Sequence, residues 1–235
     1  MLNMSRKSLA ATLAVIALLD YIATIVVSAN TATSYLHTEL ELPFPLFWLT
    51  IIVMIAFAFI YFLGLSETAR VAFGIFVFHI ITMLVLIITC IIRWGQIGNS
   101  QLIDNWHNFV PPSLNEIIKQ VFFGFCIGLL GTTGFECTQS YIEDIKPNTF
   151  PKIMRNLWLM VFFGNTSIGF LATTIVPLDI FQNNSDRAIS ILGQYATDGQ
   201  YWLRIWIVVD AVIVLCAGVL TGLVGVSAIF ERLAW

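Results

Sequence analysis

One short stretch combines residue types that bind polar ligands with residue types that interrupt helices. It is GLLGTTGFECTQ, residues 128–139, which places three glycines, two adjacent threonines and a glutamate inside a long apolar run. Thr133 and Glu136 stand in the S/T-x-x-E relation of a capping box, in which the threonine hydroxyl bonds an amide of the first helical turn and the glutamate reaches back to the threonine amide. The pattern therefore predicts a helix start inside an apolar segment.

A helix start at this point implies that the segment is interrupted. Gly131 and Gly134 lower the cost of non-helical dihedral angles, and Glu136 would lie in a first turn, where the helix dipole favours negative charge. Irregular backbone inside a membrane is tolerated only where it is buried in protein or lines a wet cavity. A break thus predicts a cavity whose open amides and carbonyls hold charged groups. The alternative is an unbroken helix in which Gly124, Gly128 and Gly131 form a packing face.

The elements that position this stretch are expected to be transmembrane helices. The chain has 235 residues, of which 58% are hydrophobic and 11% are charged, and its mean hydropathy is +0.88. These values lie far from those of a soluble domain. A net charge of -3 provides no basic field for nucleic acid. The lipid bilayer is therefore an expected partner, and nucleic acid is not.

Apolar segments long enough to span a bilayer define the expected fold. A hydrocarbon core about 30 Å thick requires roughly 20 apolar residues in a helix. The sequence therefore predicts an all-α polytopic membrane protein that forms a single transmembrane unit over residues 1–235. The expected spans are approximately residues 9–28, 46–64, 71–92, 117–141, 157–178 and 203–230.

The distribution of Lys and Arg predicts the orientation of the chain. If the N-terminus is cytoplasmic, more of the Lys and Arg residues lie on the cytoplasmic side than on the outer side. The positive-inside rule favours this arrangement. The C-terminus then also lies in the cytoplasm. The sequence thus predicts an integral membrane protein with both termini inside.

Motifs of catalysis and cofactor binding do not occur in the sequence. There is no G-x-S-x-G, H-E-x-x-H, Walker loop or dinucleotide fingerprint. The four cysteines lie in apolar stretches without the paired spacing of a zinc site. We therefore expect no enzymatic activity, no cofactor and no bound metal.

Besides Glu136, three ionisable residues lie away from the ends of the expected spans. An unpaired carboxylate at the centre of a span costs about 3 kcal/mol, so Asp20 and Asp210 should face protein or water. Both are candidates for coupling to protons, with pairing inside the helix bundle as the alternative. His79 is a third candidate because histidine changes its charge near physiological pH, although a hydrogen-bonded packing role is the alternative here too.

The interrupted segment and its C-terminal flank also resemble a known family. GTTGFECTQSYIEDIKPNTFPKIMRNLW, residues 131–158, resembles the sixth helix and following loop of amino acid permeases of the amino acid-polyamine-organocation superfamily. LLDYIATIVVSANTATSYL resembles the third helix of that family, and LVGVSAIFERLAW resembles the end of its eighth. The shared elements in the first stretch are Gly134-Phe135-Glu136, Glu143-Asp144, Lys146-Pro147, Pro151-Lys152 and Arg155.

This resemblance implies a LeuT-like fold, with two inverted repeats of five helices, of which this chain would hold the third to the eighth helix. The chain is thus expected to be a fragment of a longer permease, and the fragment would contain one of the broken helices of that fold. The implied function is secondary active transport of amino acids by alternating access, with protons as the expected coupling ion and the plasma membrane as the expected location. The implied substrate-binding residues are Leu130, Gly131, Thr132, Thr133, Gly134 and Glu136.

Two other functions remain open at this point. A chain without the first helix of the family could act as a non-transporting membrane partner of a full-length permease. A polyamine transporter of the same superfamily is the second alternative, because Glu136, Asp20 and Asp210 suit a cationic substrate.

Overall fold

A computed structural model describes residues 7–40, 43, 45–62, 68–108, 113–130, 146 and 148–234. Within these ranges the regular structure is entirely helical, which confirms the predicted all-α class. The helices are α1 (Lys7–Leu40), α2 (Leu46–Phe62), α3 (Thr68–Ile97), α4 (Ser100–Asn108), α5 (Leu114–Leu130), α6 (Phe150–Ile175), α7 (Leu178–Asn183), α8 (Ala188–Ala196) and α9 (Tyr201–Ala234), with a 3-10 turn at Ser185–Arg187.

Several of these helices have the dimensions of membrane spans. Among the described residues, four segments are long and apolar enough to cross a bilayer: Ala11–Leu40, Phe73–Ile97, Phe150–Ile175 and Tyr201–Glu231. The apolar helix α2 has 17 residues, which is the lower limit for a span. Large apolar side chains lie on the surface, such as Phe62 with 82% of its area exposed. The chain is therefore a polytopic α-helical membrane protein.

Helix α1 continues well beyond Ser28, the expected end of the first span. The residues that follow are polar, but their hydroxyl groups can bond the carbonyls of the preceding turn. The Thr33 hydroxyl lies 2.9 Å from the carbonyl oxygen of Ala29 and 2.8 Å from the hydroxyl of Thr50 on α2. Thr50 in turn donates to the carbonyl of Leu46. The Thr33 and Thr50 hydroxyl groups therefore have hydrogen-bond partners inside the protein.

The chain contacts divide into two compact units. The first contains α1, α2, the part of α3 up to Val77, and α9 from Asp210 onwards. The second contains α3 from Phe78, the helices α4 to α8, and α9 up to Val209. Both α3 and α9 are continuous helices that contribute to each unit.

In the first unit, glycines allow α9 to approach α1 closely. A Cβ atom added at Gly222 would lie 2.5 Å from Cγ1 of Ile25, and one added at Gly225 would lie 2.5 Å from Cε1 of Tyr21. Residue numbers rise along α9 as they fall along α1, so the two helices run antiparallel. Small residues at such contacts are the usual means by which membrane helices pack tightly.

In the second unit, the short helix α8 packs among three longer helices. The Nε1 group of Trp206 on α9 donates to the hydroxyl of Thr82 on α3 at 2.9 Å, and its ring stacks on Phe78 with 6.3 Å between centroids. These contacts join α9 to α3 beside the apolar core. The buried core residues are Leu86, Cys90, Leu171, Ile175, Val176, Ile191, Leu192, Ala196, Leu203 and Ile207.

Candidate functional site

The predicted substrate-binding residues begin where the described part of α5 ends. Leu130 is the last residue of this helix, and its side chain lies outside the described residues. Gly131, Thr132, Thr133, Gly134 and Glu136 also lie outside them. Their assignment to the substrate site therefore stays a prediction.

The N-terminus of α5 repeats the sequence pattern on which that prediction rests. Ser113 and Glu116 stand in the same S/T-x-x-E relation as Thr133 and Glu136. The backbone N–H of Glu116 donates to the Ser113 side-chain oxygen at 3.3 Å. Helix α5 begins at Leu114, directly after Ser113. In this chain the pattern therefore does mark one helix start, as its chemistry requires.

The candidate coupling residues Asp20, Asp210 and His79 differ in burial. Asp210 has none of its area exposed, whereas Asp20 is exposed and His79 is partly buried. Each of the three interacts with another group of the protein. Asp20 and Asp210 belong to the first unit, and His79 belongs to the second. A fully buried carboxylate within an apolar helix fits the expectation that Asp210 faces protein rather than lipid.

The most complete polar site among the described residues surrounds Asn105 of α4. Its Nδ2 group donates to the carbonyl of Thr173 at 2.8 Å and to that of Val176 at 2.9 Å. Its Oδ1 atom accepts the backbone N–H of Leu178 at 3.0 Å and the side-chain amide of Gln101 at 3.1 Å. An asparagine side chain has two donor hydrogens and two acceptor lone pairs, so all four are used.

The backbone at the end of α6 explains why these groups need bonds. Val176 is extended, with φ -107° and ψ 135°, and ends the helix. The residue four positions after Thr173 is Pro177, which has no N–H to give to the Thr173 carbonyl. Leu178 is the first residue of α7, where helical N–H groups have no partner in the helix. The Asn105 amide supplies the donors and the acceptor that the proline turn lacks.

A second polar contact holds the turn between α8 and α9. Arg93 of α3 forms an ion pair with Asp198. Asp198 and Gly199 have positive φ angles of 56° and 85°, a conformation that aspartate and glycine tolerate better than most residues. The side chain of Arg204 donates to Oε1 of Gln194 at 2.8 Å across the same turn.

Sequence patterns did not identify the Asn105 site. Residues 93–116 and 179–202 lie between the expected spans, yet they contain α4, α8 and most of α7. The contacts of Asn105 with α6 and α7 join residues that are 68 to 73 positions apart. The only local signal is Pro177, which predicts a helix end with unpaired carbonyls.

Metal ligands are not grouped among the described residues, where no three His, Cys, Asp or Glu side chains come together. Cys90 is buried, and Cys126 and Cys216 are partly buried free thiols.

Several apolar helices long enough to cross a bilayer define the chain as a helical membrane protein. The model of the amino acid permease family matches residues 1–234. The chain therefore belongs to the amino acid permease family, within the amino acid-polyamine-organocation superfamily. No curated protein and no solved structure matches the chain. Membership of this family indicates that the protein is a transporter.

Proposed function

We propose that this chain carries out secondary active transport of amino acids by alternating access, with protons as the coupling ion. The observation that carries this proposal is the family match over residues 1–234. In transporters built with interrupted helices, the unwound backbone near the midplane binds the charged groups of the substrate. We further propose that the protein acts in the plasma membrane with both termini in the cytoplasm.

The segment that follows α5 is the proposed substrate site. An unwound backbone here would offer amides and threonine hydroxyls that suit the ammonium and carboxylate groups of an amino acid, and the capping-box pattern predicts that Glu136 lies at the start of the next half-helix. Support for this comes from the Ser113 side chain, which accepts an amide in the same pattern at the start of α5. The proposed binding residues are Leu130, Gly131, Thr132, Thr133, Gly134 and Glu136.

Asp210 is the best candidate for a coupling residue, with Asp20 and His79 as further candidates. Its carboxyl group is completely buried, and carboxylates inside membrane helices commonly form parts of proton relays. Protonation removes the charge of such a group, and this allows one transport step to depend on the proton.

Uptake into liposomes that contain the purified chain tests the proposal. An inwardly directed proton gradient should increase the uptake of a labelled amino acid, and dissipation of the gradient should remove the increase. Uptake equal to that of protein-free liposomes would contradict the transport proposal, while uptake that ignores the gradient would contradict proton coupling.

Substitutions of Glu136 test the proposed site within the same assay. Glutamine can replace glutamate in a capping box, but alanine cannot. Glu136→Ala is therefore expected to raise KM about fivefold, the effect of losing a cap worth about 1 kcal/mol, and Glu136→Gln is expected to raise it less. Glu231→Ala, at an exposed position near the end of α9, is the matched control. Equal KM values for the two alanine variants would exclude Glu136 from the site.

A further inference from the structure

Helix α4 carries two strongly exposed apolar side chains. Ile103 has 51% of its area exposed and Trp106 has 78%. Because they are three positions apart, the two side chains are neighbours on the surface of the helix. The position of α4 in the fold and the chemistry of its other sides indicate which medium surrounds this pair.

Helix α4 packs against α6 on one side. Gln101, Leu102 and Asn105 are partly buried, and their spacing places them next to each other on the helix. The Asn105 side chain donates to the carbonyls of Thr173 and Val176. Protein therefore covers this side of α4.

The remaining surface of α4 is apolar on one part and polar on the other. An α-helix turns by about 100° per residue, so Asp104 lies about 160° from Trp106 around the helix axis. Asp104, His107 and Asn108 are exposed and form a polar strip, whereas Ile103 and Trp106 form an apolar strip. Helix α4 thus has a side that faces protein, a side suited to an apolar medium and a side suited to water.

The contacts around α4 place it at the level where two apolar spans end. The span in α6 ends at Ile175, and the carbonyls that Asn105 binds come from residues on either side of Ile175. The span in α3 ends at Ile97, and α4 begins three positions later. Trp94 of α3 packs edge to face on Phe170 of α6, with 5.7 Å between the ring centroids, so the ends of these two spans lie side by side. A bilayer that fits these spans therefore changes from hydrocarbon to headgroups close to α4.

Exposed aromatic side chains at the start of α9 lie near the same level. The ion pair of Arg93 with Asp198 holds the turn before α9 against the last turns of α3. Tyr201 and Trp202 follow at the start of α9 and have 59% and 47% of their areas exposed. Trp and Tyr are enriched at membrane–water interfaces, because they combine an apolar ring with a polar N–H or O–H group. Together with Trp106 they form a belt of the kind that marks such an interface.

We propose that α4 lies at the lipid–water interface, with Ile103 and Trp106 inserted into the bilayer surface. An amphipathic helix in this position buries its apolar side by about 5–10 Å into the boundary between headgroups and acyl chains. Lipid fits α4 better than a protein partner or water does, because the two strips match a medium that changes from apolar to aqueous over the width of one helix. The indole N–H of Trp106 can donate to headgroup oxygens, while Asp104 and the rest of the polar strip stay in water. This inference is independent of the proposed transport function.

Fluorescence quenching by brominated lipids measures the depth of Trp106. The full chain is reconstituted into vesicles of phosphatidylcholine that carries bromine either near the headgroup or near the ends of the acyl chains. The emission of Trp106 is the difference between the wild type and Trp106→Phe, which keeps an aromatic ring. Bromine near the headgroup is expected to reduce this emission more than bromine near the chain ends, because the proposed position of Trp106 is at the bilayer surface.

Moving the tryptophan around α4 provides the matched control. In the Trp106→Phe background, Ile103→Trp keeps the ring on the apolar strip and Asp104→Trp moves it to the polar strip. Each new emission is measured as the difference from Trp106→Phe. For Ile103→Trp we expect the quenching pattern of Trp106. For Asp104→Trp we expect little loss with either lipid and strong quenching by iodide added on both sides of the membrane.

Four results would overturn the proposal. Trp106 emission that only iodide quenches would place the ring in water, and emission that neither iodide nor bromine quenches would indicate a protein partner on the apolar strip. Stronger quenching by bromine near the chain ends would place α4 within the hydrocarbon core. Equal quenching of the Ile103→Trp and Asp104→Trp variants by the lipids would show that the two strips do not face different media. If Trp106→Phe does not fold, Trp106→Tyr supplies the same difference spectrum, and a chain that shows no uptake still gives the test.

Discussion

Gly225→Ala should weaken the packing of α9 on α1 by an amount that the geometry defines. The added Cβ would lie 2.5 Å from Cε1 and 2.7 Å from Cζ of Tyr21, whereas carbon atoms in contact lie about 3.5 to 4.0 Å apart. Only 3% of Tyr21 is exposed, so the ring has little room to move. Overpacking of this kind costs about 1–3 kcal/mol. The substitution also gains about 1 kcal/mol because alanine favours helix more than glycine does.

Gly169→Ala is the control that separates these two effects. Gly169 lies within α6, and a Cβ atom added there would meet no atom within 4 Å. This variant gains the helical preference without a clash, so the two alanine variants should differ by about 1–3 kcal/mol in free energy of unfolding. The measurement is an SDS titration in mixed micelles followed by circular dichroism. Equal stabilities would show that α9 does not approach α1 as closely as the structure describes.

Three further substitutions test two hydrogen bonds inside the helical units. Thr33→Val and Thr50→Val, measured singly and together by the same titration, should show a coupling energy of about 0.6 to 1.7 kcal/mol for the buried hydroxyl pair; strictly additive effects would contradict this contact. Trp206→Phe keeps an aromatic ring beside Phe78 but loses the N–H that Thr82 accepts. It should lower the free energy of unfolding by about 1 kcal/mol, and an unchanged stability would show that this bond does not help to hold α9 to α3.

Hydropathy predicts much of the fold because the bilayer imposes a minimum apolar length on each span. It predicts helix ends less well, as α1 illustrates. The apolar run ends near Ser28, but the helix continues to Leu40. In this extension the Thr33 hydroxyl has partners within the protein. Hydropathy did not predict the short helices α4, α7 and α8, because they are polar or brief. Contacts with residues distant in sequence help to hold them.

Some features of the candidate site can likewise be predicted from the sequence, and others cannot. The pattern from Thr133 to Glu136 is local, so it can be recognised from the sequence and assigned by family resemblance. The burial of Asp210 also agrees with physical chemistry, since a carboxylate in lipid is costly, whereas the exposure of Asp20 does not follow from the same rule. The Asn105 site could not be predicted, because it depends on Pro177 and on carbonyls 68 to 71 residues away in the chain.

The central claim is that this member of the amino acid permease family moves amino acids by alternating access, and counterflow tests it most directly. Liposomes that contain the purified chain are loaded with a mixture of unlabelled amino acids and diluted into a trace of the labelled mixture. Alternating access predicts a transient accumulation of label above its equilibrium level, because internal substrate keeps returning the binding site to the outside. No more internal label than in protein-free liposomes would contradict the claim.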